Sequence, residues 1–199
     1  MALTWDYRGR FARNLSEHVV LGLESGADWE VEFRPFSIEQ TRRGDDEAPI
    51  WDDPRDSVSF LAMQVGLVVR DRFAERFPAV HVALFAARHD EGMDIANEGV
   101  LRRVLDRHGV DADEVFDEVA TGAPLLTFRR EHEAAVAEHG AFGVPTVVAG
   151  GRAVFVRLMH RPQGDADVAR RTVDRLLDLV VGWPELNELK DTRVPPMPA

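Results

Sequence analysis

Any chemistry done by this chain must do without a sulfur nucleophile of its own, because the sequence holds no cysteine. Disulfides, thiolate metal sites and a thiol nucleophile supplied by this chain are therefore excluded. The next candidates are seven histidines. His81 and His89 flank a helical stretch that includes Val82, Leu84 and Phe85. They lie roughly on one helix face, but about 12 Å apart along the axis, too far to share a metal. His132 and His139 meet the same obstacle, and the sequence contains no His-x-x-x-His or Glu-x-x-His pair. His139 stands just before Gly140 and the Val144-Pro145 turn, where it could act as an acid–base group. A histidine satisfying carbonyls at a helix C-terminus is the commoner reason for one there.

The hydroxyls and acids offer less. Ser16, Ser25, Ser37, Ser57 and Ser59 are the only serines, and none sits in a Gly-x-Ser-x-Gly elbow. Gly150-Gly151 is followed by a strand pattern rather than by the helix a phosphate loop needs. Asp111, Asp113 and Glu114 begin like a calcium loop, but the remaining ligands do not follow. Asp45, Asp46, Glu47, Asp52 and Asp53 read as a solvated acidic connection, and Leu125, Leu126 and Phe128 as core. A formal net charge of -11 without any basic run disfavours nucleic acid and anionic membranes as partners. No stretch approaches the ~20 apolar residues of a spanning helix. The opening MALTWDYRGRFARN lacks the apolar core of a signal peptide, so a cytoplasmic location is expected.

The elements that must position these residues follow from periodicity and turn chemistry. Leu3 to Tyr7 reads as a strand stopped by Arg8-Gly9. Phe11, Leu15, Val19 and Leu23 recur at helical spacing and end at Ser25-Gly26. Trp29, Val31 and Phe33 alternate with charged residues, predicting a strand over 29–34 closed by Pro35 and parallel to the first. Between about Asp56 and Glu138 the pattern is helical throughout, with segments at 57–70, 79–89, 98–108, 112–121 and 123–139. Gly109 suits a helix C-terminus and Asp111 an N-cap. Pro145 to Ala149 and Ala153 to Val156 form a hairpin across Gly150-Gly151. A last helix over 165–179 is expected to turn Val168, Thr172, Val173, Leu176 and Leu179 inward. Arg193 to Ala199 reads as a frayed, Pro-rich tail.

The order β-α-β, helical insert, β-β-α, with Gly143-Val144-Pro145-Thr146 opening the third strand, resembles the DsbA-like family. That resemblance implies an α/β thioredoxin fold with an all-helical insertion. Residues 1–55 and 139–192 would be the thioredoxin-like part and 56–138 the insert. It also implies a cis peptide bond before Pro145, whose preceding backbone would pair with a bound peptide or thiol. The alternative is a trans proline that merely opens a strand. At the first strand-to-helix junction, Trp5-Asp6-Tyr7-Arg8-Gly9-Arg10-Phe11-Ala12-Arg13-Asn14, the family places Cys-Pro. Here Gly9 stands at the cysteine position and Arg10 at the proline position. Kappa-class glutathione transferases and 2-hydroxychromene-2-carboxylate isomerases, which are related, place a serine there, and this chain has none. The segments 152–162 and 182–192 are similar to an actinobacterial branch of the family.

The function this implies is that of a thiol-disulfide oxidoreductase homologue, of disulfide-isomerase type, without its own catalytic cysteine. The candidate site is Gly9 and Arg10, with Arg13, Val144, Pro145 and Thr146 as ligand-binding residues. The uncapped helix start beside Arg10 and Arg13 could hold a small anion, although two solvated surface arginines explain the same sequence. No metal or cofactor is expected beyond a low-molecular-weight thiol such as glutathione or mycothiol. The alternatives are a transferase- or isomerase-like enzyme using that thiol, and a non-catalytic binding module. Expected partners are a small thiol or peptide in the cleft, or a second copy of the chain in a homodimer.

Overall fold

The computed structural model describes residues 1–44, 46–54 and 57–188. Asp45 of the acidic loop, Asp56 at the start of the insert and the tail at 193–199 lie outside the described residues. So do the last positions of the 182–192 segment.

Four strands, β1 (Ala2–Trp5), β2 (Glu32–Pro35), β3 (Thr146–Ala149) and β4 (Arg152–Phe155), form one sheet in the order β2-β1-β3-β4. β1 pairs parallel with β2 and antiparallel with β3, and β3 pairs antiparallel with β4. The central place of β1 explains its composition: all four of its residues are buried, as a strand covered on both faces requires. α1 (Arg10–Glu24) makes the crossover from β1 to β2. β3 and β4 meet at Gly150 and Gly151, with φ of 56° and 76°. Such dihedrals suit a two-residue hairpin and are costly for any residue with a Cβ.

The strand boundaries differ from the sequence reading, most at β1 and β2. β1 stops at Trp5 rather than Tyr7, because Asp6 redirects the backbone into a turn. β2 begins at Glu32 rather than Trp29, where the register Ala2↔Glu32 starts. Trp29 instead packs against Gly22 of α1 and donates its indole N–H to Asp174 at 2.9 Å. Pro35 lies inside β2 and not after it, a position open to proline on an edge strand.

After β2 come a short helix, α2 (Ile38–Thr41), and a 3-10 turn at Ile50–Asp52. The helical insert follows as α3 (Phe60–Arg72), α4 (Phe77–His89), α5 (Glu98–Arg107), α6 (Ala112–Ala120) and α7 (Ala123–His139). Gly109 has φ 67°, and Asp111 caps α6 by accepting the Asp113 and Glu114 N–H groups. In α7 Phe128 is fully buried, whereas Leu126 is 69% exposed, so Leu126 is surface and not core. The last helix, α8 (Ala166–Gly182), is capped by Asp165 and buries Ala169, Val173 and Val180. Its buried stripe is thus rotated from the expected one, leaving Leu179 exposed.

Candidate functional site

The turn that carries Gly9 is built by Asp6. Its carboxylate, buried, accepts the Arg8 N–H at 2.9 Å and the Ile38 N–H at 3.0 Å. One side chain thus ties the β1–α1 turn to the residues after β2. Burial pushes the Asp6 carboxyl above its ordinary range, opposed by these two N–H donors and by the Arg8 charge. The Gly9 N–H donates to the Asp6 carbonyl at 2.8 Å, and the Gly9 carbonyl accepts the Arg13 N–H at 2.9 Å, the first bond of α1. Gly9 is therefore the N-cap, with φ -83° and ψ 103°, and no side chain caps the helix.

Across from it, the Val144–Pro145 peptide bond is cis. A Cβ built on Gly9 would stand 2.6 Å from Val144 Cγ2, 3.2 Å from the Asp6 carbonyl oxygen and 3.3 Å from Ala12 Cβ. The dihedrals of Gly9 are open to any residue, so glycine is required here for space. Val144, Pro145 and Thr146 are all buried. The Thr146 N–H donates to Thr4 Oγ1 at 2.8 Å, and its hydroxyl donates to the Gly143 carbonyl at 2.8 Å. The Pro145 carbonyl accepts the Val156 N–H at 3.0 Å. This segment is thereby fixed to β1 and β4, with its Val144 methyl pressed onto Gly9.

The remaining expected site residues part company. Arg10 begins α1 and is exposed. Arg13 is not the solvated surface arginine that the sequence allowed. It is 8% exposed, and its guanidinium pairs with Glu17 at 3.2 Å and with Asp90. Arg161 completes the group at 2.6 Å from Glu17 and 3.4 Å from Asp90. The four charges clamp α1 to the end of α4 and to the segment after β4. His139 ends α7 with Glu138 as its charged neighbour at 3.9 Å.

Behind the Gly9 turn lies a buried polar chain that the sequence did not announce. The Tyr7 hydroxyl lies 3.0 Å from His81 Nδ1, and His81 Nε2 lies 3.1 Å from Ser16 Oγ. His89 Nε2–H donates to the Tyr7 carbonyl at 2.9 Å. All three of Tyr7, Ser16 and His81 are fully buried. Burial pushes His81 down to about 3 and raises the Tyr7 phenol, so both are neutral at pH 7. The only available signal was that Tyr7 is the sole tyrosine, placed directly after β1. Its partner lies 74 residues away.

Next to Gly9 in sequence, Arg8 pairs with Glu39. Together with Arg42, Arg43 and Glu47 they line an open groove of about 570 Å³. Three guanidinium groups and two carboxylates thus share this groove. Among the described residues no group of three or more His, Cys, Asp or Glu is placed to hold a metal. No helix among them is long and apolar enough to cross a membrane.

Comparison with known proteins agrees with this geometry. Residues 11–160 match the family model of the DSBA-like thioredoxin domain. Among solved structures, a probable DsbA oxidoreductase from Streptomyces coelicolor superposes with a TM-score of 0.59 at 18% identity, covering 96% of this chain and 93% of that one. An oxidised DsbA1 mutant gives 0.58 at 15% identity, covering 91% and 83%. A Pseudomonas aeruginosa DsbA variant gives 0.54 at 19% identity, covering 88% and 85%. No curated protein matches the sequence. At these identities the structural likeness speaks for the fold alone, and the family match for membership. The chain belongs to the DSBA-like thioredoxin domain family.

Proposed function

We propose that this chain is a DsbA-family thiol-disulfide oxidoreductase homologue that performs no thiol exchange through its own residues and acts by binding. The observation that carries this reading is the junction of Gly9 with Val144. Where a nucleophile would project from the start of α1 there is no side chain, and the space is taken by a valine methyl. A helix N-terminus stabilises a thiolate only if one is present, and the chain has no cysteine to provide it. The buried Tyr7–His81–Ser16 chain does not replace it, since all three groups are shut away from solvent.

A second reading is that a bound low-molecular-weight thiol supplies the sulfur. The groove beside Arg8, Arg42 and Arg43 favours it, because guanidinium groups suit the carboxylates of such a compound. One pair of assays separates the two. Insulin reduction and peptide disulfide oxidation by the pure protein should stay at the level of buffer, both alone and with glutathione or mycothiol added. Turnover that appears only with added thiol selects the second reading. Turnover by the protein alone overturns both.

A further inference from the structure

We propose that the cavity between the Pro49–Trp51 segment and α7 is a binding site for a small aromatic molecule bearing a carbonyl or carboxylate oxygen. It is separate from the Gly9–Val144 junction and does not depend on how that junction is read. The cavity measures about 230 Å³, and its walls include Gln40, Pro49, Trp51, His132 and Val136. An apolar cavity of ~150 Å³ accepts benzene, so this one has room for a ring with a polar substituent.

The donor that selects the substituent is His132. The residue is 3% exposed, and its Nδ1 accepts the Ser37 N–H at 3.1 Å. A neutral imidazole accepting at Nδ1 carries its proton on Nε2. That Nε2–H has no hydrogen-bond partner among the described residues, although the ring lines the cavity. Burial holds His132 down to about 4, so the donor is uncharged at pH 7 and suits a neutral or an anionic oxygen. A purely apolar occupant would take water from this N–H without replacing its hydrogen bond, which is costly. Gln40 Oε1 is already occupied by the Ile50 N–H at 2.9 Å, which leaves the amide NH2 as a second donor.

The site is also preorganised. The imidazole packs against Phe36 and Trp51 with ring centroids 4.5 and 5.5 Å apart. Trp51 is held in turn by Phe60 and Phe128 at 5.1 and 5.0 Å. Little conformational freedom therefore remains to be lost on binding. Arg129 and Glu133, paired at 2.7 Å, line the same cavity and leave it without net charge.

The test is an NMR titration of the whole chain with benzoate and with benzamide, following the Trp51 indole and the His132 ring. Saturable shifts at both positions are expected at millimolar probe. Preference for benzoate would mark a carboxylate ligand, and equal binding a carbonyl oxygen. The His132→Phe variant keeps a ring but removes the donor, and should weaken binding about tenfold. The Val136→Trp variant fills the cavity from a position that is 41% exposed, and should abolish saturation without unfolding the protein. Shifts that never saturate with either probe would overturn the proposal, as would saturation unaltered by Val136→Trp.

Discussion

At residue 9 the backbone is ordinary and the surroundings are not. With φ at -83° an alanine would suffer no dihedral penalty, but its methyl would meet Val144 Cγ2 at 2.6 Å. Overpacking of this kind costs about 1–3 kcal/mol. Gly9→Ala should lower the urea midpoint accordingly, and adding Val144→Ala should return part of the loss. A double-mutant cycle with no coupling between positions 9 and 144 would show that the contact is not what selects glycine. The expected anion site at the start of α1 drew on Arg10 and Arg13, and Arg13 is instead engaged by Glu17 and Asp90. Arg8, one position before Gly9, lines an open groove together with Arg42 and Arg43.

Among the elements, α3 and α4 hold the turn at 6–9 from behind. Gly66 of α3 forms a notch: a Cβ there would stand 2.4 Å from the Tyr7 hydroxyl. Arg70, one turn further along, pairs with Glu131 of α7 at 2.8 Å, donates to the Phe33 carbonyl at 2.8 Å and lies 5.9 Å from the Trp5 ring centroid. The helical insert is thereby locked to both β1 and β2. Gly66→Ala should destabilise the protein by about 1–3 kcal/mol, and the penalty should shrink when Tyr7→Phe removes the oxygen. Thermal unfolding of the two single variants and the double variant measures this directly. Equal penalties with and without the Tyr7 hydroxyl would count against the notch.

For the molecule as a whole, stability should depend on pH through its buried histidines. His81 falls from 6.5 to about 3 in the folded protein, so the unfolded chain binds the extra proton. Its contribution is complete above pH 6.5 and is lost as pH falls from there towards 3. Between pH 6.5 and 5 the loss is about 2 kcal/mol, at ~1.4 kcal/mol per pH unit. His132 works in the same direction. Asp6 works in the opposite one: its raised value favours the folded state at low pH and less so as pH rises. Denaturant titrations at several pH values should therefore give a slope between pH 5 and 6.5 that is shallower in His81→Gln by about one proton. An unchanged slope would mean that His81 is not held neutral by burial.

The order of elements was legible in the sequence because helical periodicity, Asp111 as a cap, and the Gly150-Gly151 turn are local properties of the chain. The boundaries that slipped depend on partners. β2 begins where β1 offers a register, and the buried stripe of α8 is rotated by what it packs against. The absence of cysteine was readable from composition alone, and its assignment to Gly9 is what the resemblance to the DsbA-like family implied. What fills the position was not readable, since Val144 reaches Gly9 only when residues 135 apart in sequence are brought together by β1 and β3. Nor was the burial of His81 against Tyr7 and Ser16, or of His132 against Ser37. A histidine in a helical pattern has the same sequence signature whether it faces water, a core or a cavity. Only the packing of other elements around it removes the water that sets its charge and its partners.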